Sequence, residues 1–251
     1  MSEHSALNTI LQPGGITPLY QPIVMVQNGD HALYAVECLS RGPKGTNFES
    51  AKVLFDYVRL KREESLVDRA CITAALEESG ALPPSLRLCV NVHASTLGRD
   101  VAFVPFLRAT AERHHVPMSR LTVEIVEHAP PWDNDGFLSA LAAIRAAGAK
   151  VAVDDVGLGQ SNFKMLLDVE PDYLKLDRYF VDRCTGDSKR QAVISAVTQL
   201  ARDFGAEVIA EGVEDTETLE TLRHLGVSLM QGFYFARPMR ASEVCKTVAA
   251  V

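Results

Sequence analysis

The chain has 251 residues, a net charge of −7 and a hydrophobic content of 47%. This length suits one large α/β domain or two small ones, and the apolar content is sufficient for a full core. The acidic balance argues against general binding to a nucleic acid polymer, which requires a basic face. A small anionic ligand remains compatible with it, because bound cations can reverse the local charge.

The cysteines and the N-terminus indicate a cellular location. The five cysteines are scattered and include no C-x-x-C pair, so we interpret them as reduced thiols. Residues 1–9 are polar and lack the apolar centre of a signal peptide. No apolar run approaches the ~18 residues that a membrane span needs. We therefore expect a cytoplasmic protein that is not attached to a membrane.

Eight runs rich in Val, Ile, Leu and Tyr predict β-strands, most of them buried on both faces. These runs cover residues 19–26, 32–39, 86–92, 121–126, 150–154, 173–176, 207–210 and 228–233. Helical patterns separate most of them, including one that follows a predicted N-cap at Ser188 and ends before Gly205. This alternation favours a closed (β/α)8 barrel, with an open doubly wound sheet as the alternative.

The connection between the first two predicted strands departs from a regular barrel. It is short and contains Asn28-Gly29, a strong hairpin signal. Because a parallel pair needs a crossover of a dozen or so residues, the first strand should run antiparallel to the second. Residues 48–80 then predict two helices. We expect a short N-terminal extension over 1–18 and a single modified barrel domain over 19–251.

Polar or charged residues end seven successive predicted strands. They are Glu37, Asn91, Glu124, Asp154 with Asp155, Lys175, Glu211 and Gln231. If the strands are parallel, these side chains meet at one rim of the barrel. Two carboxylates about 4 Å apart repel by about 4 kcal/mol at an effective dielectric constant of 20. A rim with so many carboxylates predicts bound divalent cations.

Short motifs in a fixed order extend from about residue 19 to 239. They are Glu37-Cys38-Leu39, Val90-Asn91, Glu124-Ile125-Val126-Glu127, Asp154-Asp155 with Gly157 and Gly159, Leu174-Lys175-Leu176-Asp177, Ala210-Glu211-Gly212-Val213-Glu214 and Gln231-Gly232. In order and spacing this set resembles the EAL family of cyclic di-GMP phosphodiesterases. The resemblance implies a barrel with an antiparallel first strand and hydrolysis of cyclic di-GMP to linear pGpG that depends on Mg²⁺ or Mn²⁺.

The resemblance also implies a role for individual residues. The implied ligands of one metal ion are Glu37, Asn91, Glu124 and Asp154, and a second ion would be held by Asp154 and Asp155 with Glu211 nearby. The implied catalytic residues are Glu37, Asp155, Lys175 and Glu211. The implied substrate-binding residues are Gln21, Leu39, Arg41, Asp177, Glu214 and Gln231. Glu127 would anchor the loop after the Asp-Asp pair, and a homodimer would form through the face near that loop.

Several residues depart from the pattern of the family and leave other functions open. Val156 stands where phenylalanine is usual and Leu158 where threonine is usual, although Gly157 and Gly159 are kept. These changes raise the alternative of a cyclic di-GMP receptor with weak or no turnover. Independently of the resemblance, Lys175 could serve a barrel aldolase as a Schiff-base nucleophile.

Overall fold

Eight strands close into a barrel in which neighbours along the chain are neighbours in the sheet. The computed structural model describes residues 3–27, 29–126, 134–158 and 163–248. The strands are β1 (Thr17–Gln27), β2 (Asp30–Arg41), β3 (Arg87–His93), β4 (Leu121–Val126), β5 (Lys150–Val156), β6 (Tyr173–Leu176), β7 (Glu207–Glu211) and β8 (Leu229–Gln231). The closed barrel is confirmed, and the open sheet is excluded.

The first strand runs against the rest of the barrel. β1 is antiparallel to both β2 and β8, whereas every other neighbouring pair from β2 to β8 is parallel. Asn28 of the predicted hairpin lies outside the described residues, and Gly29 has φ +89°, a conformation that glycine adopts without strain. The antiparallel first strand predicted from the sequence is confirmed.

Helices precede the first strand, connect the parallel strands and follow the last strand. They are α1 (Glu3–Leu11), α2 (Ala51–Lys61), α3 (Glu64–Glu78), α4 (Ala94–Arg99), α5 (Phe103–Arg113), α6 (Asn134–Ala146), α7 (Phe163–Val169), α8 (Arg178–Val181), α9 (Ser188–Phe204), α10 (Thr216–His224) and α11 (Ala241–Val248). The two helices predicted within residues 48–80 are α2 and α3. The division of the chain at residue 18 stays a prediction; β1 begins at Thr17, and Ile10 of α1 packs in one apolar cluster with Leu54 and Val58 of α2.

One predicted helix boundary was wrong. Asp187, and not Ser188, is the N-cap of α9, because its carboxylate accepts hydrogen bonds from the backbone N–H groups of Lys189 and Arg190. Asp187 has the extended backbone of an N-cap, and Ser188 is already the first helical residue. The predicted end at Gly205 is confirmed by its φ of +69°.

No helix in the described part of the chain is long and apolar enough to span a membrane.

Candidate metal-binding and catalytic site

Two layers of side chains fill the barrel. The lower layer is an apolar cluster to which seven strands contribute one residue each: Ile23, Ala35, Cys89, Ala152, Tyr173, Ile209 and Leu229. Side chains two residues apart on a strand point to the same face. Above this cluster, at the end of the barrel where β2 to β8 finish, each of these seven strands places a polar side chain two positions away from its cluster residue. We call these residues the polar layer: Gln21, Glu37, Asn91, Asp154, Lys175, Glu211 and Gln231, together with Glu124, which pairs with Asn91. The predicted gathering of polar side chains at one rim is therefore present.

A bulge in β5 changes the direction of the Asp-Asp pair. Val153 pairs with Leu174 and Val156 with Leu176, so Asp154 and Asp155 together lie opposite the single residue Lys175. The predicted strand ended at Asp154, whereas the observed strand continues through Val156. Asp155 has φ +52°, an uncommon conformation for a residue other than glycine. The bulge thus places two consecutive carboxylates at the rim, which simple alternation would not do.

Lys175 lies among carboxylates from four strands. Its Nζ is 2.6 Å from Glu211 Oε1, 3.1 Å from Glu124 Oε1, and 3.4 Å from both Glu37 Oε2 and Asp154 Oδ1. Burial lowers the pKa of Lys175, but the four carboxylates outweigh burial and raise this pKa well above its usual value. The side chain is therefore an ammonium. A Schiff-base nucleophile must be a neutral amine, so this geometry disfavours the aldolase alternative.

Glu37 and Glu124 are buried in different environments. The oxygens of Glu37 accept hydrogen bonds from Asn91 Nδ2 at 2.9 Å and Gln231 Nε2 at 2.7 Å. Burial raises the pKa of Glu37, but Lys175 and these two amides hold it below its ordinary value. Glu124 is fully buried, and besides Lys175 Nζ at 3.1 Å no donor in the described part of the chain reaches its oxygens. Burial raises the pKa of Glu124 well above its ordinary value and outweighs the opposing effect of Lys175.

The donor set of the polar layer suits a hard divalent cation. Among the described residues, no three His, Cys, Asp or Glu side chains are arranged to hold an ion as they stand. The ammonium of Lys175 instead lies within 3.4 Å of a carboxylate oxygen of each of Glu37, Glu124, Asp154 and Glu211. Nevertheless, the donors are carboxylate and amide oxygens, the ligands preferred by Mg²⁺ and Mn²⁺. Among the residues that the structure describes, the buried Glu124 oxygens have no hydrogen-bond donor besides the ammonium of Lys175, 3.1 Å from Oε1, and this favours a cation here.

Two cavities open beside the polar layer. One, of about 290 Å³, is lined by Gln21, Lys175, Glu214 and Phe233. The other, of about 270 Å³, lies between β2 and the helices α2 and α3, and its lining includes Arg41. The polar-layer residues Glu37 and Asp154, together with Leu39, line both. Together the two adjoining cavities reach the size of pockets that bind small ligands, which begins at about 300 Å³.

The predicted substrate-binding residues lie at different depths. Gln21 is buried and accepts a hydrogen bond from Gln231 Nε2 at 3.1 Å. Arg41 lies at the second cavity and donates to the carbonyl of Ser40. Glu214 pairs with Arg178 at 2.8 Å near the surface.

One further predicted substrate-binding residue, Asp177, does not line either of these two cavities. Asp177 is the N-cap of α8, since its Oδ1 accepts a hydrogen bond from the backbone of Tyr179 at 2.6 Å. Burial raises the pKa of Asp155 to about 6, and the neighbouring carboxylates of Asp154 and Asp177 add to this rise. Glu127, the predicted loop anchor, lies outside the described residues, as do residues 159–162.

Sequence reasoning missed one buried carboxylate near the site. Asp68 of α3 lines the second cavity and accepts hydrogen bonds from the His93 backbone N–H at 2.9 Å and from Thr96 Oγ1 at 2.6 Å. Burial raises the pKa of Asp68 to about 7. The sequence did contain a signal for this buried carboxylate, because Asp68 lies beside Val67 on the apolar helix face that continues through Ile72. A charge within the apolar stripe of a helix is an exception that requires an explanation.

Comparison with known proteins identifies relatives of this barrel. The family model described as EAL domain matches residues 4–238. The bifunctional diguanylate cyclase/cyclic di-GMP phosphodiesterase MucR of Pseudomonas aeruginosa is 32% identical over 74% of this chain and 27% of its own length. The cyclic di-GMP phosphodiesterase RocR of the same species is 36% identical over 61% of this chain and 39% of its own. This chain thus spans less than half the length of these curated relatives.

A solved structure agrees with this result. The manganese/cy-diGMP complex of Klebsiella pneumoniae BlrP1 has a TM-score of 0.80 and 28% identity to this chain. The alignment covers 91% of this chain and 57% of BlrP1.

Proposed function

This chain belongs to the EAL-domain family, and on that premise we propose that it is a metal-dependent phosphodiesterase that hydrolyses cyclic di-GMP to linear pGpG. The family match over residues 4–238 confirms the resemblance seen in the motifs. The observation that carries the proposal is the position of Lys175 among the carboxylates of Glu37, Glu124, Asp154 and Glu211. A family member retaining this whole set has the groups that phosphodiester hydrolysis requires.

In this proposal Mg²⁺ or Mn²⁺ is the cofactor. Glu37, Asn91, Glu124 and Asp154 would hold one ion, and Asp154 and Asp155 a second with Glu211 nearby. The bound pair would supply activation of water and neutralisation of phosphate charge. Oxygen ligands without His or Cys select these ions over zinc.

The protein's own groups would orient the substrate and move the proton. The ammonium of Lys175 is a fixed positive charge for the attacking water or the phosphate oxygens. Glu211 is the proposed proton acceptor, since burial raises its pKa to about 8, near the value that suits a general base. The remaining residues would bind the nucleotide, and they are Gln21, Leu39, Arg41, Asp177, Glu214 and Gln231.

The location and assembly of the protein are part of the same proposal. None of the five cysteines, all in the described part of the chain, is in a disulfide, which supports a reducing cytoplasm. A homodimer near the Asp-Asp loop is supported by Phe163 and Leu167, which are 75% and 66% exposed on one face of α7. Sedimentation at equal concentration tests this dimer: the wild type should be dimeric and Phe163→Ser monomeric. The proposal would be contradicted if both proteins were monomers or both were dimers.

A product assay tests the proposed function. Purified protein with cyclic di-GMP and Mn²⁺ should release pGpG, and excess EDTA should stop the release. Glu124→Gln should be inactive under both conditions. Release of pGpG that is unaffected by EDTA would contradict a metal-dependent mechanism.

The receptor alternative has one specific observation in its favour. Val156 is buried where the family usually has a larger phenylalanine, so the apolar support of the Asp-Asp loop is smaller. A receptor would bind cyclic di-GMP in equilibrium dialysis with Mn²⁺ present and return it unhydrolysed after hours. Release of pGpG under the same conditions would exclude this alternative.

A further inference from the structure

The short helix α8 begins three residues after Lys175 and contacts both of the neighbouring loops that carry carboxylates. We propose that α8 positions the site: Phe180 supports the loop of Asp155, and Arg178 supports the loop of Glu211. This inference rests on the proposed function, because the positioned groups are those assigned to hydrolysis. Neither Phe180 nor Arg178 was among the site residues predicted from the sequence.

The Phe180 ring lies directly against the backbone of Gly157. A Cβ atom built on Gly157 would lie 2.9 Å from both Cε2 and Cζ of the ring, closer than carbon atoms can pack. Gly157 has φ +93°, and Asp155, two residues earlier, has φ +52°. Aspartate adopts this left-handed conformation less readily than glycine does. Packing by Phe180 thus supports this turn over the rim.

The Arg178 side chain makes an equivalent contact on the other side. A Cβ atom on Gly212 would clash with the Arg178 stem, at 2.8 Å from its Cβ and closer to its Cγ. Gly212 has φ +75° and directly follows Glu211. The guanidinium continues past it to Glu214 at 2.8 Å. The Arg178 stem therefore packs on the backbone of the loop at the point where the strand carrying Glu211 ends.

The helix is itself fixed to the strand that carries Lys175. Asp177 caps α8 by accepting a hydrogen bond from the Tyr179 backbone at 2.6 Å, and its carbonyl accepts another from the Phe180 backbone at 3.0 Å. The same short helix thus joins the strand that carries Lys175 to the two loops. Asp177 therefore positions α8 through these two hydrogen bonds.

The test compares two neighbouring aromatic residues on α8. Phe180→Ala removes the contact with Gly157. Tyr179→Ala removes an exposed ring that stacks on Arg190 and meets the Phe180 ring edge-on, with ring centroids 5.3 Å apart. We expect Phe180→Ala to lower kcat about tenfold or more, with a smaller change in KM, and to weaken Mn²⁺ binding measured by electron paramagnetic resonance without substrate by a similar factor. Tyr179→Ala should change kcat and Mn²⁺ affinity by less than about twofold. Phe180→Leu should retain most of the kcat and Mn²⁺ affinity that Phe180→Ala loses.

Hydrogen exchange gives a readout that needs no catalysis. The amide of Leu158, which donates to the Asp155 carbonyl at 3.0 Å, should exchange faster in Phe180→Ala than in Tyr179→Ala. Arg178→Met keeps the aliphatic stem on Gly212 and should retain activity, whereas Arg178→Ala should not. If Phe180→Ala does not fold, Gly157→Ala, which forces a Cβ into the ring, replaces it.

Each outcome decides the inference. Equal exchange, Mn²⁺ affinity and kcat in Phe180→Ala and Tyr179→Ala would overturn it, and so would full activity of Arg178→Ala. A wild type that releases no pGpG would refute the proposed function, while Mn²⁺ binding and hydrogen exchange would still decide the role of α8.

Discussion

Lys175 and Glu124 form an ion pair of 3.1 Å between β6 and β4, with side chains only 1% and 0% exposed. Two charges buried this deeply are costly to desolvate, and each depends on the other for compensation. Three more carboxylates reach the same ammonium, so negative charge exceeds positive charge in the polar layer. This imbalance is the physical reason to expect cations there, and the following predictions depend on it.

Replacing the ammonium should destabilise the protein when no divalent ion is present. Lys175→Met leaves Glu124 buried without a positive partner, and removing one member of a buried pair typically costs about 3–5 kcal/mol. The free energy of unfolding, measured with urea in EDTA at pH 8, should fall by that order. Hydrolysis of cyclic di-GMP should be lost.

Lys150→Met is the matched control for this prediction. Lys150 also lies on a strand, but its ion pair with Asp172 is 3.8 Å long, and both side chains are about one-third exposed. Exposed pairs contribute about 0–1 kcal/mol. Equal losses in the two variants would show that the buried charges do not depend on Lys175.

Neutralising Glu124 should separate metal binding from folding. Glu124→Gln preserves the shape of a fully buried side chain but removes a carboxyl group whose pKa is raised by burial. In EDTA the variant should be at least as stable as the wild type. Mn²⁺ at 100 times its dissociation constant should stabilise the wild type by about 2.7 kcal/mol and the variant much less. Thermal unfolding with and without Mn²⁺ measures both effects, and an equal Mn²⁺ response would remove Glu124 from the ligand set.

Gln231 should contribute to stability through Glu37. Gln231→Leu removes the 2.7 Å hydrogen bond to a buried carboxylate and should cost about 1–3 kcal/mol. Gln199→Leu is the control, because its hydrogen bond to Asp203 is on the surface. Urea unfolding of both variants in EDTA should show a clear loss for Gln231→Leu alone. A loss of the same size in the control would mean that burial of Glu37 does not strengthen the contact.

Asp68 should make stability depend on pH in an unusual direction. Burial raises its folded pKa from 3.8 to about 7, so the folded protein binds the proton more tightly than the unfolded chain. Its contribution is fully present below about pH 4 and is lost as the pH rises through 7. The stability of the wild type relative to Asp68→Asn should therefore decrease by up to a few kcal/mol between pH 4 and 7.

Asp100 is a control for Asp68, because its effect on stability should depend on pH in the opposite direction. Burial raises the pKa of Asp100, but hydrogen bonds from Ser65 and Arg69 outweigh burial and lower it. Stability relative to Asp100→Asn should consequently decrease only as the pH falls below about 4. Unfolding curves for both variants at several pH values measure the two slopes, and parallel slopes would contradict the assignment for Asp68.

The sequence alone determined the strands, the hairpin and most of the polar layer. Buried strands are continuous apolar runs, so a polar residue such as Glu37 or Lys175 at the end of each run is visible without a structure. The Asn28-Gly29 turn predicted the reversed first strand because a short connection cannot join parallel strands. These signals are local, since each depends on residues that are adjacent in the chain.

The tertiary structure alone decided which groups meet and in what state. The bulge that sets Asp154 and Asp155 opposite Lys175 depends on the pairing of β5 with β6. Asp68 and the contact of Phe180 with Gly157 each join residues more than twenty positions apart. Burial and the distance between charges set the pKa of such groups, and both quantities exist only after the chain has folded.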